Sequence, residues 1–352
     1  MFIQALGTAV PATRYSQREC WEALRATPRF AALRPPSRVL LERVLTGEHG
    51  VRTRHLALEH LAEAFAIDAD VLARRFARHA PELAARAARQ ALERARLPAA
   101  AVDALLVSTC TGYLCPGLTS HVAERLGLRS DLLGLDLVGQ GCGAALPNLR
   151  TAEALLAARR AEHVLCVCVE VCSAALYIDD DPGVLVSACL FGDGAAAAVA
   201  SRAWSGEGRR VEWLDALSHV EPRERETLRM ETRNGLLRNI LSREVPQIAA
   251  EHANRLLEEA LAKHRLAKGD IRGWILHAGG RTVLERLRAV TGLGERHTRR
   301  SAELLERFGN LSSPFVLFVL AQALEERAAP GRWWMCSFGA GFSCHGAILD
   351  VA

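Results

Sequence analysis

The stretch DLVGQGCGAALPNL, residues 136–149, sets one cysteine, Cys142, between two glycines where an apolar strand-like run gives way to a helical pattern. A strand, a glycine turn and a helix in that order are the unit of an α/β fold. Two readings of Cys142 stand on these residues alone. In one it is a nucleophile at a helix N-terminus, where unpaired N–H groups and a partial positive charge favour thiolate. In the other it is a small residue packed into a turn. Gly141, Gly143, Ala144 and Ala145 leave room for a substrate to approach, and Pro147 is compatible with the first turn of a helix.

The same alternation extends outward. Residues 56–97 read as helical, and strand-like runs follow at 102–109, 135–138, 163–171 and 194–200. Together they predict an α/β protein with a largely buried sheet. The second half repeats the plan, with a helix over 246–266 and strands at 273–279, 333–339 and 345–352. At a shift of 168 residues Cys142 falls on Asn310 and Cys168 on Cys336, and ALERARLPAAAVDALLV falls within a residue on ALAKHRLAKGDIRGWIL. Several matches at one offset imply two copies of one unit. The expected halves are 1–205 and 206–352, dividing within the polar segment 202–225. Equivalent turns of such halves meet near a pseudo-twofold axis, so Cys142 and Asn310 would face one site.

Composition narrows the class of function. The chain has 352 residues, 50% hydrophobic and 24% charged, with a net charge of +4, too small for its size to indicate nucleic acid. The N-terminus lacks the charged start and apolar core of a signal peptide. No run approaches the roughly 20 apolar residues of a membrane span, so the cytoplasm is the expected location. The reduced cytosol argues against disulfides among the ten cysteines. Cys166, Cys168 and Cys172 lie close together in HVLCVCVEVCS. No His or carboxylate completes a tetrahedral set there, so they read as small strand hydrophobes rather than metal ligands.

His277 ends an apolar strand in WILHAGG, where ligands of α/β sheets usually bind. Alone it reads equally as a surface or capped histidine. Asn310, in RFGNLSS, reads alone as a helix cap. With Cys142 the two make a nucleophile and a pair of hydrogen-bond donors for a developing oxyanion. That set suits a decarboxylative Claisen condensation of thioesters, which needs no metal or organic cofactor.

The chain resembles the type III polyketide synthases, the chalcone-synthase-like branch of the thiolase superfamily. The likeness runs from LGTAVP and GVRTRH through TCTGYLCPG, GQGCGAALPNL, LFGDGAAA, SREVP, HAGG and FGNLSSPFVLF to SFGAGFS. It implies a thiolase-like fold of two pseudo-duplicated halves in an α-β-α-β-α layered core. It places the family's catalytic residues on Cys142, His277 and Asn310, with an ion pair between His277 and Cys142 expected. A gating Phe falls on Phe191. The second gating Phe is missing, since its position falls on Asn239 or Ile240. Pocket positions fall on Cys110, Thr111, Cys172, Ala175 and Ser312, and the loop shaping the cyclisation cavity on Gly339 and Ala340. Cys110 reads either as an extra pocket cysteine or as a small strand-end residue. Cys115 falls where the family crosses its dimer interface. Arg52 and Arg54 match a segment that contacts CoA phosphates.

The resemblance therefore implies a homodimeric enzyme that loads an acyl-CoA on Cys142, extends it with malonyl-CoA and cyclises the product. Small residues at Cys172 and Ala175 favour a long acyl starter and an alkylpyrone or alkylresorcinol product. Cys110 points instead to malonyl-primed synthesis of tetrahydroxynaphthalene or dihydroxyphenylacetyl type. A ketoacyl synthase of fatty acid initiation and a non-catalytic binding homologue are the more distant alternatives.

Overall fold

A computed structural model describes residues 1–47, 50–206 and 208–352. The first half opens with β1 (Phe2–Ala9) and the short β2 (Arg14–Ser16). Helices α1 (Gln17–Arg25), α2 (Pro28–Ala32) and α3 (Pro35–Thr46) follow, and β3 (Thr53–His55) pairs back on β2. The long α4 (Ala69–Ala95) leads into β4 (Ala104–Ser108), α5 (Leu118–Leu126), β5 (Leu133–Leu137) and α6 (Ala145–Ala157). Then come β6 (His163–Glu170), α7 (Pro182–Leu190) and β7 (Gly194–Ser201). The second half begins with β8 (Val211–Val220), the hairpin β9 (Leu228–Arg233) and β10 (Leu236–Leu241), and α8 (Val245–His264). It ends with β11 (Ile271–Leu276), α9 (Arg281–Thr291), α10 (Glu295–Phe308), α11 (Phe315–Glu325), β12 (Gly331–Gly339) and β13 (Ser343–Val351).

The large sheet runs β11-β12-β13-β8-β1-β7-β6-β4-β5. Its two arms share a pattern. β4 is parallel to β6, which is antiparallel to β7, and β11 is parallel to β12, which is antiparallel to β13. A single residue pair, Phe2 with Glu212, joins the arms through β1 and β8. The 168-residue shift superposes β4 on β11, α6 on α11 and β6 on β12, and it brings α4 over most of α8. It fails at β5, whose counterpart at 301–305 lies inside α10.

Helices α6 and α11 touch strands of both arms, while α4 covers β1, β7 and β6, and α8 covers β8, β12 and β13. The layers are therefore helix, sheet, helix, sheet, helix, a thiolase-like fold. The sequence explains who sits where. α11, FVLFVLAQALE, is apolar all round, as a helix between two sheets must be. Phe315 at its start is fully buried, and a Phe→Ala change at such a site costs about 3–5 kcal/mol. β7, GAAAAVAS, is buried along its whole length between helical layers. Its small side chains let α4 approach through its own alanines, Ala80, Ala84, Ala87, Ala88 and Ala91.

Two expectations need correction. The helical reading of 56–97 holds only from Ala69, because Asp68 caps α4 by accepting from the Asp70 and Val71 amides. The polar segment 202–225 is not all linker: β8 begins at Val211 and completes the second arm (residue 207 lies outside the described residues). Its faces are mostly half-buried, so it carries no clean alternation. Helices α1–α3, β1 and the β9–β10 hairpin had no sequence assignment, and α1, α3 and the hairpin line the cavities described next.

Candidate active site

Cys142 sits in a 3₁₀ turn, Gly141–Gly143, between β5 and α6. No side chain caps α6, so its positive end stays open beside the thiol. Burial nevertheless pushes the Cys142 thiol up to about 12; a hydrogen bond with Ser312 works against that rise, and Glu170 adds to it. His277 follows β11 directly, and its N–H donates to the Cys336 carbonyl at 2.9 Å. Its ring stands edge-on to Phe315 and Phe338, with centroids at 5.4 and 5.0 Å. Burial lowers its pKa to about 3. Neither ring nitrogen has a hydrogen-bond partner among the described residues. No hydrogen bond therefore links the His277 ring to Cys142, and burial favours the neutral form of each.

Asn310 is the best fixed of the three. Its backbone bridges Phe191, with N–H donating to Leu190 O at 2.9 Å and C=O accepting from Gly192 N at 3.0 Å. Its side-chain Oδ1 accepts from Ser312 N at 2.8 Å, and Nδ2 donates to Gly279 O at 3.2 Å. An amide NH2 has two hydrogens, so one remains for the cleft. Ser312 holds a left-handed φ of +59°, a strain tolerated where the surroundings over-determine it.

Glu170, at the end of β6, escaped the sequence reading. It is fully buried and accepts from Ser313 Oγ at 2.6 Å, Thr111 Oγ1 at 2.9 Å, Cys110 N at 3.0 Å and Thr109 Oγ1 at 3.2 Å. Cys110 Sγ and Ser312 Oγ also donate to it, each at 3.4 Å. Burial raises its pKa against those bonds. A glutamate closing an apolar strand was the available signal, since an unpaired carboxylate is almost never fully buried.

Two cavities meet at Cys142. The outer cleft holds Cys142, His277, Asn310 and Phe338 at its buried end and exposed Arg34, Arg43, Arg243 and Arg281 at its solvent end. The inner cavity holds Cys110, Thr111, Cys172, Ala175, Ser312 and Ala340 near Cys142. It continues to Leu24, Leu41, Leu45, Leu61 and Phe65 beneath α1 and α3. Phe191, Leu228 and Asn239 line both cavities. Asn239 Nδ2 donates to Ser187 Oγ at 3.3 Å, so an amide stands where a second aromatic gate was looked for.

The remaining assignments land elsewhere. Arg52 is exposed and pairs with Glu306, outside both cavities. Arg54 is buried, lines the inner cavity and donates to the Ala188 and Phe191 carbonyls at 2.8 and 3.0 Å, so it supports Phe191. The solvent end of the cleft takes its cations from α3 and its N-cap, the turn between β10 and α8, and the start of α9, a distribution that a single basic segment does not reveal. Gly339 lines neither cavity and packs under the nucleophile turn. Cys115 is exposed, just before the cis Cys115–Pro116 bond. Asp193 of LFGDG is structural, accepting from Ala57 N, Ser173 N and Ser173 Oγ at 2.6–2.8 Å. Cys166 and Cys168 are buried core residues. Among the described residues no group of three or more His, Cys, Asp or Glu side chains could hold a metal, and no helix is long and apolar enough to cross a membrane.

The depressed His277 pKa has a measurable consequence. Unfolding frees an imidazole that binds a proton near pH 6.5, while the folded one stays neutral to about 3. Its contribution is therefore intact above pH 6.5 and is lost progressively as pH falls towards 3. In thermal unfolding, wild type is expected to lose on the order of 3 kcal/mol relative to His277→Gln between pH 6.5 and 4. A constant gap between the two proteins across that range would refute the buried neutral histidine.

A layered duplicated fold with a cysteine, a histidine and an asparagine at the meeting of two clefts defines a thiolase-like acyl-transfer enzyme. Comparison with known proteins takes this further. Residues 65–220 match the model of the FAE1/type III polyketide synthase-like proteins, and residues 216–350 that of the C-terminal domain of chalcone and stilbene synthases. A 1,3,6,8-tetrahydroxynaphthalene synthase from Streptomyces peucetius subsp. caesius is 32% identical over 99% of this chain and 92% of its own. An alpha-pyrone synthesis polyketide synthase-like protein from Mycobacterium tuberculosis is 29% identical over 72% of this chain and 66% of its own. The crystal structure of PKS-I from the brown alga Ectocarpus siliculosus superposes with a TM-score of 0.90 at 25% identity, covering 99% and 98% of the two chains. The chain belongs to the type III polyketide synthases, acyltransferases that join units by decarboxylative condensation.

Proposed function

We propose that Cys142, His277 and Asn310 are the catalytic residues and that the starter is a long-chain acyl-CoA. A ring nitrogen of His277 takes the Cys142 proton as the thiol attacks the starter thioester. The CoA thiolate leaves with that proton, and the acyl group stays on sulfur. Malonyl-CoA then loses CO2, and its enolate oxygen is held by the free Asn310 N–H and by His277. The enolate carbon attacks the acyl carbonyl, Cys142 departs as thiolate, and the lengthened chain remains on CoA for reloading and cyclisation. No metal or organic cofactor enters any of these steps. Arg34, Arg43, Arg243 and Arg281 are the proposed anchors for the CoA phosphates.

The observation that carries the starter is the inner cavity, whose far arm is walled by Leu24, Leu41, Leu45, Leu61 and Phe65. Each methylene buried there contributes about 0.8 kcal/mol, roughly fourfold in selectivity. A series of saturated acyl-CoAs with malonyl-CoA is expected to show kcat/KM rising at least about tenfold from butyryl to decanoyl, with alkylpyrones or alkylresorcinols as products. A flat or falling series would contradict the reading. Cys110 at the cavity wall and the likeness to a tetrahydroxynaphthalene synthase favour a second reading, malonyl priming. Its signature is a naphthalene product from malonyl-CoA alone.

The active unit is proposed to be a homodimer. Tyr113, Leu133 and Val138 are large apolar side chains left exposed around the free edge of β5, near Cys115.

A further inference from the structure

Behind the nucleophile turn, three polar side chains form a row across three neighbouring strands. Ser337 on β12 pairs with His345 on β13, and His345 pairs with Ser218 on β8. Directly paired residues share a face of the sheet, and this face carries the Cys142 turn: Ser337 Oγ donates to Gly143 O at 3.1 Å. Ser218 Oγ bonds His345 Nδ1 at 2.8 Å and accepts from Arg150 Nη1 of α6, also at 2.8 Å.

A guanidinium can only donate, so Ser218 accepts from Arg150; its hydroxyl then has a proton to give to Nδ1 and a second lone pair to accept from it. His345 is 3% exposed, and Nε2 has no partner among the described residues. Nε2 lies on the ring edge nearer the nucleophile turn: its bonded neighbour Cδ2 stands 3.2 Å from where a Gly143 Cβ would be. A buried unpaired polar atom is costly, and nothing in the condensation steps uses it.

We propose that Ser218 gives its proton to Nδ1, that His345 carries its own on Nε2, and that Arg150, Ser218 and His345 thus form a positioning relay that brings the positive end of a hydrogen-bond chain to the back of the nucleophile turn. The relay rests on Cys142 being that nucleophile. It adds to the positive end of α6 at the thiol. Glu170 of β6 opposes the thiolate, Cys110 and Cys172 are neutral thiols, and His277 is uncharged. Arg150 is the charged neighbour of His345. His219, next along β8, belongs to the other face, where it meets Glu259 of α8.

The test is the rate–pH profile of Cys142 alkylation by iodoacetamide in the whole chain, with the site read by peptide mass spectrometry. His345→Leu is expected to displace the profile upward by about one pH unit, about tenfold slower at a fixed pH. Arg150→Gln, on the outer face of α6, should move it the same way by a few-fold in rate. His345→Gln, whose amide can replace the Nε2 donor, should restore the rate to within about twofold of wild type. Equal losses in His345→Leu and His345→Gln would mean simple packing and would overturn the relay. So would an unchanged profile in Arg150→Gln, which decides the matter even if His345→Leu does not fold. Alkylation needs no thioester, so failure of wild type to accept any acyl-CoA would sink the proposed function and leave this result standing.

Discussion

Replacing Cys142 by alanine is expected to abolish product formation, by more than about 10⁴-fold in kcat, while malonyl-CoA decarboxylation persists at a measurable rate. The asymmetry follows from the geometry. Acyl transfer needs sulfur at the start of α6, and no second side chain can replace it there. Cys110 and Cys172 line the same cavity, but burial holds both thiols far above the usual range, with Glu170 or Asp193 adding to the rise. Decarboxylation asks less. It needs donors for an enolate oxygen, and Asn310 and His277 are fixed without help from the cysteine: Asn310 by the Leu190, Gly279 and Ser312 bonds, His277 by β12 and two phenylalanine rings. Liquid chromatography of acetyl-CoA formed from malonyl-CoA reads the surviving step, and product analysis reads the lost one. If both steps vanish together, the division of labour between sulfur and amide is wrong.

A methyl group at residue 339 is expected to impair the enzyme from outside the cleft. A Cβ on Gly339 would stand 2.4 Å from Gln140 O, 2.5 Å from Gly143 N and 3.1 Å from Cys142 N. All three atoms are backbone of the nucleophile turn, so the turn itself must move. A displacement of about 1 Å at the reacting atom costs about 10²-fold in rate, and overpacking of this kind costs about 1–3 kcal/mol of stability. Gly339→Ala should therefore lower kcat about a hundredfold with the fold retained, as judged by a modest drop in thermal midpoint. Activity within a few-fold of wild type would show that the turn tolerates the shift and that its present position is not what the chemistry requires.

How much of this was legible in the chain depends on whether the signal was local. The turn at Cys142, the histidine ending β11 and the asparagine at the matching turn each sit at a strand or helix boundary, where spacing and glycines are informative. The repeat held wherever both arms kept the same element, and failed at β5, which α10 replaces in the second arm. β8 was missed because its half-buried faces carry no clean alternation. The surroundings of the arginines were hidden for a different reason. Arg54 looks like any exposed base in VRTRH, and only the chain folding back over Phe191 makes it a buried donor. Arg34, Arg43, Arg243 and Arg281 converge from distant parts of the chain, as do Arg150, Ser218 and His345. Convergence of that kind is set by packing, and a single sequence does not display it. Glu170 lies between these cases: its position in an apolar strand was visible, while its six donors were not.

The central claim is that sulfur of Cys142 carries the growing chain. It is tested most directly by mixing the protein with a long-chain acyl-CoA in the absence of malonyl-CoA, quenching in acid, and mapping the adduct by peptide mass spectrometry. The expected result is one acyl group per chain, on the peptide that contains Cys142, chased into product when malonyl-CoA is added. An acyl group on Cys110 or Cys172, or no adduct while product still forms, would contradict the account.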